Sequence, residues 1–187
     1  MAARDIMPWK SPLGGTYEVR WAAMTAGETF EVGEVVGIVD AGTLSEMPAD
    51  TTELLIADTD GGLGGIAAYG PGAGNIDPDT GAAMATGAMV PYWPWNQGTL
   101  FITSNFKSDA AAAVVVPALT DIGESYEISY SNATVPLGWG IDQTNAAVAT
   151  EVCARIVDVL DAGYVSINEP HSDGTGVYLV FEITLQV

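Results

Sequence analysis

Histidine and cysteine are almost missing from this sequence: each occurs once, as His171 and Cys153. A lone cysteine excludes an intrachain disulfide, and its setting in Val152-Cys153-Ala154 suits a buried structural thiol. The same scarcity excludes the ordinary zinc and iron sites, which need several His or Cys ligands. Bases are nearly as rare. Arg4, Lys10, Arg20, Lys107 and Arg155 face 24 acids, giving a net charge of −19. Between Trp21 and Phe106 there is no base at all. Nucleic-acid affinity depends on Lys and Arg displacing counterions, so such a chain is expected to bind none. Anionic membrane surfaces are disfavoured for the same reason, whereas solubility in salty surroundings is favoured.

Long hydrophobic runs are also lacking. The longest, Ala110 to Leu119, includes Pro117 and is too short to span a bilayer. The opening MAARDIMPWK has no apolar leader core, so the chain is expected to stay soluble in the cytoplasm where it is made.

Chemistry finds little to build on. Acid–base and nucleophilic catalysis need a tuned base beside a nucleophile or acid. His171 stands in Pro170-His171-Ser172-Asp173-Gly174, and neighbours in one turn cannot point at one another as a triad must. Most acids fall in turns, away from an apolar cleft that would tune a carboxylate pair. No GxxxxGK[ST] motif occurs, and Gly61-Gly62-Leu63-Gly64-Gly65 has no basic partner. No enzyme activity and no cofactor are therefore expected. A weak calcium candidate remains in Asn75, Asp77 and Asp79, whose oxygens alternate before Gly81. Its glycine comes one place late for an EF-hand loop and no closing glutamate follows, so an acidic turn is the better reading.

What is present is the texture of strands and turns. Apolar residues make up 48%, in short runs parted by 22 glycines and by Pro, Asn and Asp. Alternation predicts strands at 17–21, 29–32, 35–39, 54–57, 100–103, 126–130, 152–160 and 164–168. It is clearest at the end, with Val177, Leu179, Phe181, Ile183 and Leu185 on one face. The stretch 63–90 reads as strand, long Gly/Ala-rich loop, strand. One helical turn is allowed around 109–113. The expected fold is all-β, a barrel or sandwich of short antiparallel strands. Residues 1–15 read as an extended N-terminal arm, 16–106 as a barrel-like unit, and 107–187 as a second β unit packed on it.

Interface residues are expected in two places. Prolines and a Gly-Gly pair bar a helix from the arm, whose Ile6, Met7, Trp9 and Leu13 offer apolar side chains for docking on a neighbouring subunit. The run Tyr92-Trp93-Pro94-Trp95 suits buried structure or an interface anchor, since Trp and Tyr dominate interface hot spots. Strand alternation puts Trp93 and Trp95 on one side and Tyr92 on the other. A sugar-stacking platform of Tyr92, Trp93 and Trp95 is the rival reading.

The segment Gly27-Glu28-Thr29-Phe30-Glu31-Val32-Gly33-Glu34-Val35-Val36-Gly37-Ile38 resembles the opening of the small β-barrel head decoration proteins of tailed bacteriophages. Asp121 to Tyr126, Gly138 to Asp142 and Ala154 to Val159 resemble the second half of β-rich phage virion proteins. The likeness runs over 27–187 in texture and order. It implies a non-enzymatic cement protein on the capsid surface, bound to major capsid protein and to itself, with a trimer suiting local three-fold positions. A tail or fibre component, or a carbohydrate-binding module, is the alternative.

Overall fold

A computed structural model describes residues 6–10, 18–25, 32–38, 43–46, 64–68, 87–95, 98–107, 114–131, 138–146 and 152–185. The predicted strands at 29–32 and 54–57, the 63–90 loop, the 109–113 turn, Leu13 and the calcium candidates Asn75, Asp77 and Asp79 fall wholly or mainly outside these residues. The described residues contain no α-helix. They form twelve strands and one 3₁₀ turn at Leu119–Asp121.

Seven strands make the larger sheet: β1 (Met7–Lys10), β7 (Leu100–Thr103), β8 (Phe106–Lys107), β9 (Ser125–Ser131), β10 (Gly138–Ala146), β11 (Val152–Leu160) and β12 (Tyr178–Leu185). Their spatial order is β1-β7-β12-β11-β9-β10-β8. The smaller sheet has the order β2-β6-β5-β3-β4, from β2 (Arg20–Ala23), β3 (Val35–Ile38), β4 (Leu44–Glu46), β5 (Gly64–Ala67) and β6 (Met89–Pro94). Among the described residues the edge strands of the larger sheet do not pair with each other. In the smaller sheet a parallel bridge between Met24 and Leu44, with the Thr25 N–H donating to the Leu44 carbonyl at 2.8 Å, draws β2 and β4 together. The two sheets pack as a sandwich. Between the named strands pairing is antiparallel except for β8 on β10, and the Met24–Leu44 bridge is also parallel.

The core lies between the sheets because each strand sends alternate side chains inward. Phe101, Phe106, Ile128, Ile141, Ile156, Leu179 and Phe181 come from the larger sheet, and Val35 and Ile66 from the smaller one. Phe101 and Phe181 are direct cross-strand partners with ring centroids 6.0 Å apart. On the other face of the smaller sheet, Val36, Ala67, Val90 and Tyr92 form a second buried cluster with Met24 and Leu44. Neighbours Val35 and Val36 thus serve opposite faces.

Three expectations change. Residues 7–10 of the expected arm form β1, paired antiparallel with β7, and Ile6 is fully buried in the main core. Pro8 allows this because β1 is an edge strand, where a missing N–H costs no internal ladder bond. Sheet membership also crosses the expected boundary after residue 106, since β1 and β7 join the sheet of β9 to β12. Finally, 164–168 is a turn region with a single bridge at Ser166, and Tyr164 has φ of 63°. Left-handed backbone of that kind breaks a strand.

The outer face of the larger sheet carries an unusual row. Through register, Thr184 lies beside Cys153, Cys153 beside Glu127, Glu127 beside Asp142, and Asp142 beside Lys107. Direct cross-strand partners share a face. Cys153, Asp142 and Lys107 are completely buried and Glu127 is 4% exposed. Cys153 Sγ stands 3.1 Å from Thr184 Oγ1, the structural role expected of this thiol.

Candidate interaction surface

At the opposite side of that outer face, three aromatic rings stack. Trp9 of β1 lies on Tyr164 with centroids 5.4 Å apart, and Tyr164 lies on Tyr178 at 4.7 Å, with planes within 19° and 10° of parallel. Tyr164 is 51% exposed, while Trp9 and Tyr178 are half-buried. A hydrogen bond with Tyr164, reinforced by burial, raises the Tyr178 phenol above its ordinary pKa. The stack offers a flat apolar surface with polar rims.

Tyr164 is held there by Asp161. The Asp161 carboxylate accepts the N–H groups of Gly163 at 2.8 Å and Val165 at 3.0 Å. Its backbone N–H donates to the Val165 carbonyl, and its carbonyl accepts the Tyr164 N–H. The Val165 N–H, then the Ser172 hydroxyl, keep this carboxyl below the usual carboxylate range despite opposing burial. Ser166 closes the loop from the other end by donating to Asp158 Oδ1 at 2.7 Å. These bonds fix a left-handed tyrosine that would otherwise be strained.

On the larger sheet, β7, β11 and β12 also carry a shallow groove lined by Leu100, Ile122, Val157 and the Arg155–Glu182 pair at 3.6 Å. Val157 and Ile122 are exposed, as are Leu119, Val116 and Val114 on the adjoining segment. Met7, 40% exposed, adds an apolar residue on edge strand β1.

The sequence-predicted residues divide. Met7 and Trp9 belong to this surface, but Ile6 is core and cannot touch a partner. Trp93 in β6 and Trp95 just after it pack against the inter-sheet core while Tyr92, 4% exposed, faces the second cluster. That is the disposition alternation predicts, and it leaves no open three-ring platform for a sugar. His171 sits exposed in the 167–174 turns. Among the described residues, no group of three or more His, Cys, Asp and Glu could hold a metal ion. Tyr164 and Tyr178 escaped sequence reading because 164–168 reads as a strand. The signal available was Asp161-Ala162-Gly163, a turn sequence just ahead of the tyrosine. Comparison with protein-family models, with characterised proteins and with solved structures finds no match.

Proposed function

We propose that this is a non-enzymatic virion protein that decorates and cements the outside of a tailed-phage capsid by binding major capsid protein subunits, as a homotrimer. The observation that carries the binding role is the aromatic stack of Trp9, Tyr164 and Tyr178 beside edge strand β1. Rigid aromatic surface of this kind buries large area at little entropic cost, the property of interface hot spots. An open edge strand with exposed Met7 adds backbone groups that a partner strand can pair. Phage context comes from the sequence resemblance described above.

The test is binding of the purified protein to capsids stripped of it. Removing a hot spot costs about 2 kcal/mol or more, close to thirtyfold in affinity. A folded Trp9→Ala/Tyr164→Ala protein should therefore lose occupancy at concentrations that saturate the native chain. Equal occupancy would remove the stack from the interface. Binding to isolated tails but not to capsids would replace the cement role by a tail or fibre role. Binding to a defined glycan instead of either would favour the carbohydrate reading.

A further inference from the structure

Lys107 is one of only five bases in a chain with 24 acids, yet it is fully buried. Its direct partner on β10 is Asp142, also fully buried, and Asp142 is in turn paired with Glu127 of β9. All three lie on one face, backed by the apolar partners Phe106, Ile141 and Ile128 on the other. Lys is almost never buried, and a buried ion pair seldom recovers its desolvation cost. β8 is only two residues long and pairs parallel with β10 on one side. On the other it has a single antiparallel bridge from Lys107 to Val114 and a 2.8 Å bond from the Val115 N–H to the Phe106 carbonyl. Pairing over two residues makes a short ladder, to which a covalent tie would add strength.

We propose that Lys107 and Asp142 condense into an intramolecular isopeptide bond between β8 and β10, with Glu127 carrying the proton. A proton first passes from the Lys107 ammonium to the Asp142 carboxylate, leaving a neutral amine and acid. The Nζ lone pair then attacks Asp142 Cγ, forming the C–N bond. Glu127 takes a proton from the nitrogen and delivers it to the departing hydroxyl. The C–O bond breaks and one water leaves. Ammonium plus carboxylate gives amide plus water, so atoms and charge balance without any co-reactant. Adjacent strands supply the proximity that makes such a condensation effectively unimolecular. Exclusion of water protects the amide from hydrolysis, and two buried charges become one neutral group. The bond fastens the edge strand across the loop from 107 to 142, where a particle under mechanical load would otherwise peel the sheet.

Mass spectrometry of the purified full chain tests this. The native protein should be lighter than its sequence by the mass of one water. Trypsin cleaves a free Lys107 to give 21–107 and 108–155, whereas the bonded chain should yield one species, 21–155, lacking one water. Glu127→Gln and Lys107→Arg should restore the full mass. Should either variant fail to fold, Asp142→Asn still discriminates, because the amide nitrogen then leaves and the deficit becomes one ammonia. A native chain of full mass that trypsin cuts after Lys107 overturns the proposal. A missing water with normal cleavage at Lys107 overturns it equally, since the loss then lies elsewhere.

Discussion

Replacing Ile6 by alanine separates two accounts of the N-terminal segment. As part of a detached arm, Ile6 would contribute nothing to the stability of the isolated protein. In the structure it is completely buried, in one cluster with Phe101, Phe181 and Val35. Truncating a buried isoleucine to alanine costs about 2–5 kcal/mol through lost transfer energy and the cavity left behind. Ile6 lies one residue ahead of an edge strand, where the chain can partly collapse into the space, so the lower half of that range is expected. With a urea m-value of about 1–3 kcal/mol per M, the midpoint should fall by about 1 M at constant m. Met7→Ala is the control. Met7 is 40% exposed, and surface truncation of that kind stays within about 0.5 kcal/mol. Equilibrium urea unfolding followed by tryptophan fluorescence reads both. If Ile6→Ala and Met7→Ala unfold at the same midpoint, β1 is not part of the fold and the core described here is wrong at that end.

Gly64→Ala should destabilise by about 1–3 kcal/mol, the usual range for overpacking. A Cβ there would stand 2.7 Å from the Val36 carbonyl oxygen and 3.1 Å from the Trp95 ring, and a melting temperature equal to that of the native chain would refute this packing. Asp161 gives a pH prediction. Its carboxyl is lowered in the folded state, so the stabilisation is complete above the unfolded value near 3.9 and is lost as pH falls through the folded value. Amide exchange at Gly163 and Val165 should therefore accelerate, beyond its ordinary pH trend, only below about pH 4. Protection unchanged down to pH 2 would show that the carboxylate does not hold the loop.

Strands whose alternation matches their burial were legible in the sequence. At 178–185, Leu179 and Phe181 are fully buried in the core, and Ile183 packs against it. The strand at 138–146 was not, because glycines at 138 and 140 and polar residues after Asp142 dilute the pattern. Gly140 is required there by Asn105, whose side chain and backbone occupy the space a Cβ would need. Asn105 also donates to the Trp139 carbonyl at 2.9 Å, a tertiary contact no local pattern announces. The aromatic stack was hidden for a related reason. Trp9, Tyr164 and Tyr178 come from distant segments, and the geometry of one depends on the hydrogen bonds of Asp161. The buried row was wholly invisible: no local pattern marks Lys107, Glu127 and Asp142 as neighbours, and only strand register brings them side by side. The fold class is a property of short-range periodicity, whereas sites arise from register.

A cryo-EM reconstruction of the native particle tests the central proposal most directly. The account predicts density for a two-sheet sandwich on the outer capsid surface, in fixed ratio to the shell subunits, with Trp9, Tyr164 and Tyr178 turned toward them. Particles with no such density, or with the sandwich attached only at the tail, would contradict it.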